Sequence, residues 1–279
     1  MILKKRKITS SIALFICFLT ALWGIIWLFF IIIDVLRHGI TAINPSLFLN
    51  DPAPPGEGGG GLRNAFIGHL LITVFATLIG VPIGVLGGTF LAEYGRKYKI
   101  SKIISTLADI MVSVPAIIIG AFIYAIIVKP LGHFSGWAGS VALGIIMIPT
   151  VLRTTENMLS LIPWTLRESA FALGAPYYKV IIQVVYRGAA TGILTGIILA
   201  IARVTGEAAP LLFTAFNNNY FSIDMSQPIA SLTVTIFQYA MGPYEEWHAQ
   251  AWGAALMITV FILFATIAGR ILIKRRYKG

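Results

Sequence analysis

Residues Ile12–Ile33 read IALFICFLTALWGIIWLFFIII, 22 positions without a charge. About 20 apolar residues cross a hydrocarbon core of roughly 30 Å, so this stretch predicts a membrane-spanning helix. Five further stretches qualify: Ala65–Ala92; Ile103–Val128, with the single charge Asp109; the shorter Trp137–Leu152; Gly188–Ala215, which contains Arg203 and Glu207; and Ala251–Gly269. Ile229–Tyr239 is apolar but too short to span, and is expected as a re-entrant or surface helix. The composition agrees. Hydrophobic residues make up 57% and charged residues 11% of the 279 positions, and mean hydropathy is +0.85, which excludes a soluble enzyme and a disordered chain. The single Cys17 excludes an internal disulfide. The expected class is an all-α polytopic membrane protein with six transmembrane helices.

The net charge of +10 reads as topology in such a chain, and no nucleic-acid partner is expected. Basic residues gather at Lys4–Lys7, at Arg96, Lys97, Lys99 and Lys102, at Arg153, Arg167, Lys179 and Arg187, and at Arg270, Lys274, Arg275, Arg276 and Lys278. The opposite side holds only Arg37, Arg63 and Lys129. This asymmetry predicts an even number of spans with both termini cytoplasmic. The first apolar run exceeds the roughly 7–15 residues of a signal-peptide core, so it is expected as a retained helix. Residues 1–63 are read as that helix plus a flexible outer loop, because Asp51–Gly61 is dense in Pro and Gly. Residues 64–279 are read as a five-helix core.

No G-K-[ST], H-E-x-x-H, paired Cys or G-x-S-x-G occurs, and the four histidines are scattered. Nothing builds a nucleophile or a metal centre, so no catalytic residue, metal or cofactor is expected. The connection after the fourth span is long and ordered. Thr165-Leu-Arg-Glu168 has capping-box spacing, Gly174 is placed as a C-terminal stop and Pro176 prevents continuation. A short helix over about 165–174 follows, too short to be stable alone and therefore in need of a surface.

Glu168-Ser169-Ala170-Phe171-Ala172-Leu173-Gly174 resembles the EAA loop of ABC importer permeases, with Ser169 where that pattern has its first Ala. The surrounding segments are similar to phosphate importer (Pst) permeases: Asp109–Gly120, Ile148–Glu156 and Ala202–Leu212. Arg63-Asn64, Leu91–Tyr94 and Ala251–Ala255 favour the A-type subunit over its C-type partner. The resemblance covers roughly residues 60–275. It implies a type I ABC importer permease fold in the cell inner membrane, with Glu168, Ser169, Ala170 and Gly174 on an ATPase-docking helix. It also implies a second homologous C-type permease, two ATPase subunits that hydrolyse ATP, and an extracytoplasmic phosphate-binding protein.

Independently of that resemblance, Arg203 and Glu207 are four apart inside a span, and a continuous helix would place them on one face. A lone charge at the bilayer centre costs about 2.5–3.5 kcal/mol, so an inward-facing ion pair is expected. Either it lines the substrate pathway or it fixes helix packing. Arg suits phosphate because its planar fork matches phosphate oxygens, and the resemblance assigns both residues to transport. Gly206 and Pro210 are placed to loosen the helix and expose backbone amides.

The reading is thus a membrane subunit that moves inorganic phosphate inward by alternating access. The alternatives are a permease for another oxyanion such as sulfate or molybdate, an ATP-independent channel or carrier, and a receptor or assembly factor. Reporter fusions at Gly58 and after Gly279 should read outside and inside respectively. The same side for both would contradict six spans.

Overall fold

The structure, a computed structural model, describes residues 2–54, 56–57, 59–95 and 97–276, with side chains for all of these except residues 2–5, 8 and 272–276. Of the basic residues counted above, Lys4, Lys5, Arg96, Lys274, Arg275, Arg276 and Lys278 lie outside the described side chains, and Gly58 lies outside the described residues. The described residues contain helices and no strand. In chain order the helices are α1 (Ile2–Ala42), α2 (Pro45–Leu49), α3 (Arg63–Tyr94), α4 (Ile100–Ser113), α5 (Ala116–Leu131), α6 (Gly136–Ser160), α7 (Trp164–Ala172), α8 (Tyr177–Thr205), α9 (Ala209–Leu212), α10 (Leu232–Ala240) and α11 (Glu245–Arg276).

Five of them, α1, α3, α6, α8 and α11, are long and apolar enough to cross a membrane, and α4 with α5 forms one broken pair. The third span, expected as one helix over Ile103–Val128, is therefore two helices bent by 105°. The cause is local. Pro115 has no N–H, and its ring pushes the preceding residue out of the helical region. Val114 accordingly lies at φ −74°, ψ 127°. Pro82 and Pro149 sit inside continuous helices. The fifth span also differs from expectation: α8 begins at Tyr177 and ends at Thr205, well before Ala215. Ile229–Tyr239 is realised as α10, with Leu232, Val234 and Tyr239 buried in the bundle.

The centre of the bundle is the α3–α6 pair, with Ile72, Ala76, Leu143, Met147 and Val151 buried together. Glycines let these two backbones close. A Cβ on Gly80 would sit 2.8 Å from the Gly144 carbonyl oxygen, one on Gly84 2.7 Å from Val151 Cβ, and one on Gly88 2.7 Å from Thr155 Cβ. This is the small-residue packing that replaces the hydrophobic effect inside a bilayer. By contrast, α1 is exposed along most of its length. It meets α11 near its C-terminal end, where Gly39 faces Leu256 and the His38 ring stacks on Trp252 at 4.9 Å.

The connection after α1, expected as a flexible outer loop, is anchored at both ends. Asn44 caps α2 by accepting from the Leu47 amide at 2.9 Å, and Leu47 and Leu62 are buried. Asp51 pairs with Arg63 at 2.7 Å, and Gln250 of α11 donates to the Gly60 carbonyl at 3.0 Å. Pro and Gly leave few side chains to bury, but backbone groups and flanking leucines hold the segment in their place.

Gly84→Leu should lower the membrane level and the thermal midpoint, since overpacking costs about 1–3 kcal/mol. Gly24→Leu should change neither, because nothing lies within 4 Å of its Cβ position. Thermal unfolding in detergent reads both.

Candidate functional site

Two places carry charge that the bilayer or the protein interior must accommodate. The first is at the junction of α3, α6 and α7. Pro163 occupies the N-cap position of α7, so the helix starts at Trp164 and no side chain caps it. The expected Thr165–Glu168 capping box is therefore not formed. Thr165 lies within the first turn, and its carbonyl accepts from Ser169 Oγ at 2.9 Å. The stop is as expected: Gly174 takes φ +78° and its amide donates to the Phe171 carbonyl at 2.8 Å. Ala175 N–H then reaches the Ala170 carbonyl at 3.2 Å, the two-bond closure of a left-handed cap.

Arg167 fixes α7 to the bundle. Only 4% of it is exposed. Its Nη2 donates to Glu93 Oε1 of α3 at 2.6 Å and to the Leu159 carbonyl at 3.1 Å, while Nη1 donates to the Ile162 carbonyl at 2.6 Å. Tyr177 Oη donates to the same carboxylate at 3.2 Å, and the Trp164 ring centroid lies 5.4 Å from the guanidinium. Away from Arg167, α7 is bare: Leu166, Glu168, Ser169 and Ala172 are exposed, Ala170 is half-buried, and Leu173, just past the helix, is 89% exposed.

Beside it, Arg153 of α6 binds three partners. It bonds Asp109 of α4 at 2.6 Å, Glu156 at 2.6 Å and Ser105 Oγ at 2.8 Å. Asp109, the single charge of the third apolar stretch, is thus a tie between α4 and α6. Neither Glu93–Arg167 nor Asp109–Arg153 was found from the sequence. Their partners are 74 and 44 positions apart, and no local pattern joins them.

The second place is the end of α8. Arg203 lies in its last turn, exposed, and Gly206 follows as the C-cap, with its amide donating to the Arg203 carbonyl at 3.1 Å. Glu207 falls beyond the helix, half-buried, and its backbone carbonyl accepts from Thr233 Oγ1 of α10 at 3.1 Å. The expected i,i+4 ion pair is not made: among the described residues, Arg203 and Glu207 form no ion pair with each other or with any other group. Gly206 and the imino nitrogen of Pro210 break the helix that the pairing needed. The short α9 then wedges against α5, where a Cβ on Gly120 would sit 2.6 Å from Pro210 Cα. Asn217–Asn219 hold the return loop: Asn64 Nδ2 donates to the Asn218 carbonyl at 2.5 Å, and Asn217 Nδ2 to Gln238 Oε1 at 2.8 Å.

The bundle thus combines a broken span, irregular backbone beside an exposed arginine, and a short helix with a bare face. The family model for the binding-protein-dependent transport system inner membrane component matches residues 80–278. The chain is 47% identical to the phosphate transport system permease protein PstA of Pasteurella multocida over 98% of this chain and 97% of that one. It is 44% identical to that of Yersinia pestis (97% and 92% covered) and 35% identical to the probable PstA of Methanocaldococcus jannaschii (92% and 91%). Among solved structures, a chain of the MetNI methionine ABC transporter in an inward-facing crystal form superposes with a TM-score of 0.60 at 20% identity, covering 77% of this chain and 94% of that one. The chain belongs to the binding-protein-dependent inner membrane component family, among its PstA-type phosphate transport system permeases. It is a multi-pass membrane component of an ABC importer.

Glu93→Gln should leave the Arg167 guanidinium buried without its counter-charge, at a cost of about 3–5 kcal/mol. The membrane level and melting point should fall sharply. The double variant Glu93→Gln/Arg167→Gln should recover most of the loss, as read by the same melting curve.

Proposed function

We propose that this chain is the membrane subunit that carries inorganic phosphate inward, with α7 as its lever and Arg203 as its contact with the anion. The observation that carries the reading is Arg203 itself: a guanidinium exposed near the middle of the sequence's fifth apolar stretch, which makes no ion pair among the described residues. Facing hydrocarbon, such a charge costs about 2.5–3.5 kcal/mol. Facing a polar route shared with a second permease, it supplies positive potential and a fork matched to phosphate oxygens. Making no ion pair there, it is free to take the passing anion. Glu207, just past the helix end, places a negative charge further along the route and limits how tightly phosphate is held. Because irregular backbone is tolerated at membrane depth where it is buried in protein or lines a cavity, the broken segment 206–208 fits the edge of that route.

The bare face of α7 fits a cleft in an ATPase subunit. Glu168, Ser169, Ala170 and Gly174 form its small and polar side, and Leu173 is an apolar tip. The excess of basic residues supports a cytoplasmic position for this end and for both termini. A C-type permease completes the pathway, two ATPase subunits hydrolyse ATP below, and a phosphate-binding protein delivers the anion above. Closure of the ATPases moves α7, Arg167 passes that motion to Glu93 of α3, and the bundle alternates its access.

Gly174→Asp should reduce ATP-driven uptake while the chain still inserts. The left-handed stop prefers Gly by about 1 kcal/mol, too little to unfold the bundle. ATPase copurification should weaken in parallel. Arg203→Gln should abolish radiolabelled phosphate uptake into vesicles while membrane level and ATPase binding stay near normal. Since Glu207 is not paired with it, Glu207→Gln should leave assembly intact and alter uptake alone. Wild-type uptake by Arg203→Gln would remove the pathway role.

A further inference from the structure

A cavity of about 850 Å³ lies between the end of α3, the start of α4, the end of α6 and the start of α7. Its lining includes Glu93, Lys97, Lys102, Glu156, Ser160 and Trp164. Both acids are already engaged, Glu93 by Arg167 and Glu156 by Arg153, each at 2.6 Å. Lys97 and Lys102 are exposed, and among the described residues neither makes an ion pair. The chamber therefore presents cationic groups that no protein acid satisfies.

A second groove of about 350 Å³ along α4 shares Lys102 with it; its other lining residues are Lys99, Ile103, Thr106 and Leu107. From there an apolar stripe runs along α4, with Ile103, Leu107 and Ile110 each more than half exposed. Chamber and groove thus form one feature with a cationic head and an apolar tail, at the point where α3 leaves its apolar span. A soluble anion would account for the lysines but not the groove, and a neutral lipid for the groove but not the lysines.

We infer that this feature binds an anionic phospholipid, with its phosphodiester on Lys97 and Lys102 and an acyl chain along Ile103 and Leu107. Basic pockets between helices on the cytoplasmic side suit anionic headgroups. The headgroup would lie against Trp164, the first residue of α7, and beside the Glu93–Arg167 pair, so the lipid would brace the docking helix against the bilayer. The site's effect on transport rests on α7 being the lever; its occupancy does not.

The test uses the full importer complex in nanodiscs of phosphatidylcholine with and without phosphatidylglycerol, and counts retained lipid by native mass spectrometry. Wild type should retain phosphatidylglycerol in preference to phosphatidylcholine. Lys97→Gln/Lys102→Gln should retain about tenfold less or lower still, and the exposed Lys179→Gln should match wild type. Equal retention by the double variant would overturn the proposal. Displacement of the lipid by added inorganic phosphate would also overturn it, making the chamber a free-anion site. Independently of any variant, a phosphatidylglycerol with a photoreactive acyl chain should label the α4 peptide containing Ile103 and Leu107 in wild type, and labelling confined to other helices would refute the assignment. Retention and labelling are read without transport. Their failure is therefore separate from a failure of phosphate uptake.

Discussion

A carboxylate and a guanidinium shut away from water hold the working end of this protein together. Glu93 closes α3, Arg167 opens α7, and their 2.6 Å contact lies where neither side chain meets solvent. Such a pair is stable only if its remaining hydrogen-bonding capacity is filled. Here the Leu159 and Ile162 carbonyls take the other guanidinium protons, and Tyr177 donates to the carboxylate. A nine-residue helix that would fray alone is thereby fixed to the longest packed interface in the bundle. Because α3 meets α6 through glycines along its length, the proposed displacement of α7 would reach the core as a movement of packed backbones and not be absorbed by loose side chains.

The far end of the lever is built on the opposite principle. Around Arg203 the helix is interrupted, the backbone turns at Gly206, and the charge is left without a partner. The broken α4–α5 pair and the wedge of α9 on α5 add two more discontinuities to the bundle. In the proposed mechanism, the regular, glycine-packed helices transmit motion and the interrupted helices receive the anion. Each region lacks the feature that the other needs.

Much of this arrangement was legible in the sequence because it rests on local chemistry. The apolar runs gave the spans, Gly174 gave the stop of α7, and the Arg203-to-Pro210 stretch contained both the charge and the residues that break the helix around it. The errors came where two local signals competed. Thr165 and Glu168 have capping-box spacing, but Pro163 already supplies an extended cap residue two positions earlier, so the box has no terminus to cap. Arg203 and Glu207 have ion-pair spacing, but Gly206 ends the helix between them. The third apolar run is continuous in hydropathy, whereas Pro115 acts on the backbone, to which hydropathy is blind. The Glu93–Arg167 and Asp109–Arg153 pairs were out of reach for another reason. Each joins residues that only the folded bundle brings together, and each of the two arginines read as one more positive charge at the membrane edge.

The central claim is that α7 and α3 move as one body. Spin labels at Leu173 and at Leu86, both exposed, on a Cys17→Ala background would measure the distance between docking helix and span by double electron–electron resonance in the assembled importer. The account predicts that this distance is the same without nucleotide and with ATP bound, while the distance from Leu173 to a label on the second permease changes. A shift or broadening of the Leu173–Leu86 distance on ATP binding would show that α7 slides on α3, and would contradict the account.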